Sequence, residues 1–171
     1  GHLLGSGGMD FNDDAGAGGY SSTMATYMQY RNLVFGGDET QNFNFNGHTP
    51  EGIYIININR ARYKNAIRMG NLALNLSGST NLLHLTDDSV TTSGSANAIR
   101  AGVGREFNLV SGSNGVRSGD SNIYVTNSGS YGYVYPDAGL IILNADALDE
   151  DAGDEGIALG TNISADTAGL N

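Results

Sequence analysis

The sequence predicts a mainly β domain, a sandwich or meander of about eight to ten short antiparallel strands with one short N-terminal helix. Three observations carry this. Short runs rich in β-branched and aromatic residues recur along the chain, each bounded by Gly, Ser, Asn or Asp. Gly supplies 26 of 171 residues and Pro only 2, a balance that suits tight turns rather than rigid linkers. Only one stretch, residues 21–35, shows helical spacing, so alternating β and α units are not expected.

Taken in order, residues 1–20 are Gly-rich and acidic and read as a flexible arm. Such an arm has no core of its own and is expected to pack, if at all, along another chain. Residues 21–150 form the β-rich domain. Ser21 or Ser22 can cap a helix in which Met24, Tyr27, Met28 and Arg31 share a face, and Gly36-Gly37 ends it. Asn42-Phe43-Asn44-Phe45-Asn46 alternates with period two and predicts a strand with both rings on one face. Gly52–Asn59 is the strongest strand signal, and it is expected to run on through Arg60-Ala61-Arg62-Tyr63-Lys64. Further strands are expected at 72–76, 82–86, 105–110, 123–126, 131–135 and 140–143. Residues 151–171 read as an acidic, small-residue tail that pairs with something else.

The formal net charge is −10. It is unevenly placed. Residues 51–117 hold seven Lys/Arg against four acids, whereas 118–171 hold nine acids and no cation. An acidic chain repels nucleic acid, and a polarised one can stack its basic part on an acidic part of a neighbour. No apolar run is long enough to span a bilayer, so no membrane partner is expected. The absence of Cys excludes disulfides, thiolate nucleophiles and cysteine-held zinc. The start Gly1-His2-Leu3-Leu4-Gly5 has neither a basic n-region nor an initiator Met, which leaves a fragment or processed product open.

Candidate sites follow from residue type and spacing. On an extended strand Arg60, Arg62 and Lys64 share one face, with Arg68 nearby. That face suits a polyanion, with the acids of 146–155, within the chain or from a neighbouring copy, as the expected partner, and equally a solvated strand that resists aggregation. Tyr131, Tyr133 and Tyr135 lie at i, i+2 and i+4 and are expected to line one face of a strand, as a protein interface or a stacking platform for sugar. Asp149, Asp151 and Asp154 offer oxygen ligands for Ca²⁺. Counted from Asp149, however, EF-hand positions six and twelve are Asp154 and Gly160. A solvated acidic loop is therefore preferred, and no cofactor is expected. His84 has Asp87 and Asp88 close in sequence, but no Gly-x-Ser-x-Gly frames a nucleophile. His48 reads as a turn residue. Asp87, Asp88 and Glu106 are the acids nearest to strand candidates, so any catalytic exception would involve them.

Several segments in order carry a resemblance: Tyr54 to Lys64, Leu74-Asn75-Leu76-Ser77, Leu85-Thr86-Asp87-Asp88-Ser89, Asn108 to Gly115 and Ser130 to Asn144. Together they resemble a module of large virion structural proteins from contractile-tailed phages, notably those infecting cyanobacteria. The resemblance spans residues 54–150. It implies a structural part of the tail or baseplate region, with no active site to transfer. The expected function is thus non-enzymatic: a structural component of a multi-copy virion or extracellular assembly, in contact with copies of itself and with other virion or surface proteins. The alternative is a receptor- or glycan-binding adhesin module.

Overall fold

The structure, a computed structural model, describes residues 2–4, 22–38, 40–50, 52–78, 82–118, 129–149 and 157, with the backbone alone for 2–4 and 22–24. The fold is mainly β, a curled antiparallel sheet with one long helix and one short one. Its strands are β1 (His2–Leu4), β2 (Gly52–Asn57), β3 (Leu74–Ser77), β4 (Leu82–Asp87), β5 (Ala98–Arg100), β6 (Gly104–Ser113), β7 (Val116–Arg117), β8 (Gly132–Tyr135) and β9 (Leu140–Asn144). The helices are α1 (Ser22–Phe35) and α2 (Ala145–Asp149). The sheet order is β1-β2-β9-β8-β6-β4-β3, with β5 and β7 paired to β6 off that path.

Period-two alternation explains how the sheet buries both faces. In β2, Ile53 and Ile55 pack one way and Tyr54 and Ile56 the other. In β9, Leu140 and Ile142 oppose Ile141 and Leu143 in the same manner. The register Ile53↔Asn144 to Asn57↔Leu140 aligns these stripes. Every residue of β8 and β9 is buried. A strand covered on both faces reads as a continuous apolar run, which is what Leu140-Ile141-Ile142-Leu143 is.

One face is covered by α1 and the segment after it. Tyr27, Arg31 and Val34, at helical spacing, are all buried. The Gly36 N–H closes the helix on the Asn32 carbonyl at 2.9 Å. Phe43 and Phe45 are fully buried on this face and stack at 6.4 Å, and Phe45 stacks on Tyr133 at 5.0 Å. The period-two signal there reported burial but not a strand: Phe45 and His48 make only an isolated bridge. The other face is covered by β3, β4, α2 and Ile157. Strand β6 connects the halves, holding β8 at Phe107 and Asn108 and β4 from Leu109 to Ser111.

Three expectations about boundaries are corrected. Residues 2–4 are not part of a free arm. They form β1, antiparallel to β2 with His2↔Tyr54 and Leu4↔Gly52, because the outer edge of β2 offers backbone groups to pair. Ile157, expected in the tail, is buried in the core, and its N–H donates to the Leu148 carbonyl at 3.2 Å. The run after Asn59 is not strand. The Asn59 side chain caps a single 3-10 turn, Arg60–Arg62, by accepting from the Ala61 N–H at 2.9 Å. The strand expected at 123–126 lies outside the described residues. Among the described residues no helix is long and apolar enough to cross a membrane.

Candidate functional site

The cation set expected on a strand face sits instead on an ordered turn. Ile58 N–H donates to Gly139 O at 2.8 Å, and Ile67 N–H to Pro136 O at 3.0 Å. These bonds pin the Arg60–Lys64 connection to the turn between β8 and β9. Within it, Arg62 N–H donates to Asn59 O at 2.9 Å. The Arg60 guanidinium lies 4.8 Å from the Tyr63 ring centroid and donates to the Asp137 carbonyl at 3.2 Å. The Tyr63 hydroxyl packs so close to Gly139 that a Cβ there would stand 2.3 Å from it. Arg60, Arg62, Lys64 and Arg68 are all exposed. None of the four makes an ion pair among the described residues. The neighbouring carboxylate, Asp137, is taken by Arg105 at 2.7 Å and 3.1 Å, a pair that holds its carboxyl below the usual range.

The acidic segment is placed elsewhere. Asp146 pairs with His48 Nε2 at 2.7 Å, and Asp149 accepts from the Tyr54 hydroxyl at 3.0 Å. Burial, and then the Asp149 charge, push the Tyr54 hydroxyl pKa well up. The expected contact of these acids with the Arg60–Lys64 face is therefore not made within the chain by Asp146 or Asp149. Asp151 and Asp154 lie outside the described residues. Among the described residues no group of three or more His, Asp or Glu side chains is placed to hold a metal ion.

The tyrosines are corrected in two respects. Tyr131, Tyr133 and Tyr135 are 3%, 8% and 0% exposed, so they offer no open face. Nor do they share one face. Tyr133 and Tyr135 join the cluster under α1, whereas Tyr131 joins the opposite cluster. Gly132 breaks the alternation. Its φ of +153° is a backbone state that a side chain rarely adopts, and a Cβ would stand 2.3 Å from the Ile142 carbonyl.

Sequence reasoning flagged Glu106, Asp87 and Asp88 only as neighbours of strands. All three are buried. Glu106, with no exposure, accepts from Arg100 Nε at 2.8 Å and Nη2 at 3.2 Å, from Asn97 Nδ2 at 2.9 Å and from the Tyr135 hydroxyl at 3.0 Å. Burial first, then the Glu106 charge, raises the Tyr135 pKa well above its ordinary value. Both Asp87 carboxylate oxygens accept from the Gly70 N–H, at 2.9 Å and 3.0 Å, and Oδ1 also accepts from the Ser89 N–H and hydroxyl. Asp88 accepts from the Asn108 N–H at 3.1 Å and Nδ2 at 2.8 Å. These carboxylates tie loops to the ends of β4 and β6. His84 is exposed, cross-strand from Asn75, and its Nδ1 lies 2.6 Å from Asn75 Oδ1.

Burial raises the Asp88 pKa above 3.8, against the donors from Asn108, and Asp87 adds to the rise. The folded state thus holds the Asp88 proton more firmly than the unfolded chain. Its contribution to stability is largest in acid and falls as pH rises from about 3.8 through the folded value. Asp88→Asn removes this dependence, with Asn108 turning its amide to match. The variant's stability relative to wild type is expected to be higher at pH 7 than at pH 4. Urea midpoints at the two pH values check it; equal differences at both would contradict it.

Comparison of the sequence with protein-family models and characterised proteins, and of the fold with solved structures, finds no match.

Proposed function

We propose that this chain is a structural module of a multi-copy viral or extracellular assembly, of the kind that builds a phage tail, baseplate or fibre, and that it works through protein–protein contacts rather than catalysis. The observation that carries the reading is the basic turn. Three exposed cations stand on a connection fixed by backbone hydrogen bonds and a fourth, Arg68, directly follows it, with no carboxylate paired to them among the described residues. A fixed charged surface loses little entropy when a partner docks. The buried acids support the same reading, because each is already occupied by donors that position loops. The resemblance of residues 54–150 to tail or baseplate-region modules favours a virion setting. The glycan-binding alternative loses its motive, since Tyr131, Tyr133 and Tyr135, the rings that suggested it, are buried.

Light-scattering mass measurement from low to high micromolar concentration tests the proposal. The expected result is a mass that rises to multiples of the 17.8 kDa chain. A single monomer mass at every concentration in dilute salt would overturn it.

A further inference from the structure

We infer that β3 pairs edge to edge with β3 of a second copy, antiparallel about a two-fold axis, so that two sheets join into one. The inference rests on the assembly reading above and adds to the basic turn a second, uncharged contact. β3 is the last strand of the sheet order and pairs only with β4. Among the described residues, no backbone group of Leu74–Ser77 makes a hydrogen bond outside that pairing. Such an edge offers a row of N–H and C=O groups to another extended chain. Proteins that stay apart blunt their edges with Lys, Pro or a bulge. β3 has neither charge nor Pro, and its register runs unbroken from Leu74↔Leu85 to Ser77↔Leu82.

Charge selects the partner. Each copy carries a net charge of −10, so most surfaces of two copies repel. Residues 69–86 hold no Asp, Glu, Lys or Arg, and no other uncharged run in the chain is as long. Two copies therefore approach at β3 without a like-charge cost. Packing points the same way. From Asn71 to Gly78 exposure alternates residue by residue, with Leu72, Leu74 and Leu76 packed on the core. All three are only half-buried, whereas Leu83 and Leu85 on the neighbouring strand are buried. A second β3 supplies the missing outer neighbour, with leucines of its own.

The pleat restricts the register. A slip of one residue would set Leu against Asn or Ser and turn one stripe to the wrong face. The register that opposes Leu74 of each copy to Leu76 of the other keeps both stripes on the core side. It sets Asn75 on the two-fold axis. The contact is isologous, so it closes as a dimer. The basic turn is bonded to the β8–β9 connection and stays outside this edge, where it can join dimers into larger assemblies.

The chain has no Cys, so Asn75→Cys gives it one thiol at a known place. Opposed residues of antiparallel strands have Cα atoms about 4.5–5.5 Å apart, within the span of a disulfide. Oxidised at low micromolar concentration, N75C is expected to run as a covalent dimer on a non-reducing gel. A101C, exposed in the turn between β5 and β6, is expected to link at least about tenfold less. In high salt, which screens charge contacts, light scattering is expected to give wild type twice the 17.8 kDa chain mass. Ala73→Lys with Ser77→Lys, both exposed, sets Lys opposite Lys in this register. That variant is expected to keep its melting temperature and to be a monomer in high salt. Should it melt lower, the N75C comparison, which leaves the edge intact, decides alone. Monomeric wild type in high salt, a dimer that survives the two lysines, or N75C linking no better than A101C would overturn the strand contact. Association in dilute salt would then leave the assembly reading standing. If wild type is a monomer under every condition, both fall.

Discussion

Glu106→Ala is expected to lower stability by about 3 kcal/mol, the low end of what breaking a buried ion pair costs. The Glu106 carboxylate has no exposure and receives four hydrogen bonds. Its removal leaves the Tyr135 hydroxyl, fully buried, without its carboxylate acceptor. An orphaned buried hydroxyl alone costs about 1–3 kcal/mol. It also leaves the Arg100 charge uncompensated. The Arg100 side chain is 29% exposed, so water relieves part of that cost, which is why the low end applies. For a chain of this length the loss corresponds to a fall of roughly 6–12 °C in melting temperature. Glu106→Gln keeps an acceptor for Arg100 and is expected to lose about half as much. A thermal or urea melt of both variants checks this. A loss below about 1 kcal/mol for the Ala variant would show that the network is not what holds β5 against β6.

Gly102→Ala is expected to cost about 2–3 kcal/mol, for steric reasons alone. Gly102 lies in the turn between β5 and β6 and touches the far end of α1. A Cβ there would stand 1.8 Å from the Leu33 carbonyl oxygen, and 3.0 Å from its carbon. Both are backbone atoms of a helix, so no side chain can swing aside. Either α1 lifts or the turn retreats. Each response loosens the packing of Phe35 and Val103 and the stacking of Arg100 on the Phe35 ring, now at 5.0 Å. Hydrogen exchange distinguishes this from general destabilisation: α1 amides are expected to lose more protection than those of β9. Ala101→Ser, one residue earlier and exposed, serves as the control. Equal loss in the two variants would contradict the close approach.

Much of the fold was legible because strong local signals agreed with the tertiary outcome. The helix expected at 21–35 runs from Ser22 to Phe35, since Tyr27, Arg31 and Val34 have the right spacing and a glycine pair ends it. Strands β2 and β8 fall within the stretches that β-branched and aromatic runs marked, and β3, β4, β6 and β9 overlap theirs while running one to four residues beyond. Phe43 and Phe45 were read correctly as sharing a face. They lack a partner strand, and pairing is a tertiary matter that periodicity cannot report. The Arg60–Lys64 extension failed for a local reason. An Asn before the run competes for the backbone with its own side chain, and that chemistry overrode the alternation.

The site was legible in composition but not in geometry. The cations were identified, and they are exposed. Their distance from the acids was not readable, because it depends on which end of β9 faces which end of β2. The tyrosines misled because period two holds only along an unbroken strand, and Gly132 breaks this one between Tyr131 and Tyr133. Burial of Glu106, Asp87 and Asp88 left no apolar signature to find. A charged residue is buried when donors gather around it, and Arg100, Asn97, Gly70, Ser89 and Asn108 converge only in the folded chain. β1 was missed because three residues beside a glycine run carry too little pattern to suggest a strand.

The most direct measurement of how the copies join uses the single lysine of the sequence, Lys64, which stands on the basic turn. A zero-length carbodiimide links its amine only to a carboxylate in direct contact. Equal amounts of ¹⁴N- and ¹⁵N-labelled chain are mixed in dilute salt, cross-linked and digested, and the mixed-isotope peptides are mapped by mass spectrometry. The assembly account predicts mixed-isotope links between Lys64 of one copy and a carboxylate of another, lost in high salt. Links confined to single copies would contradict it.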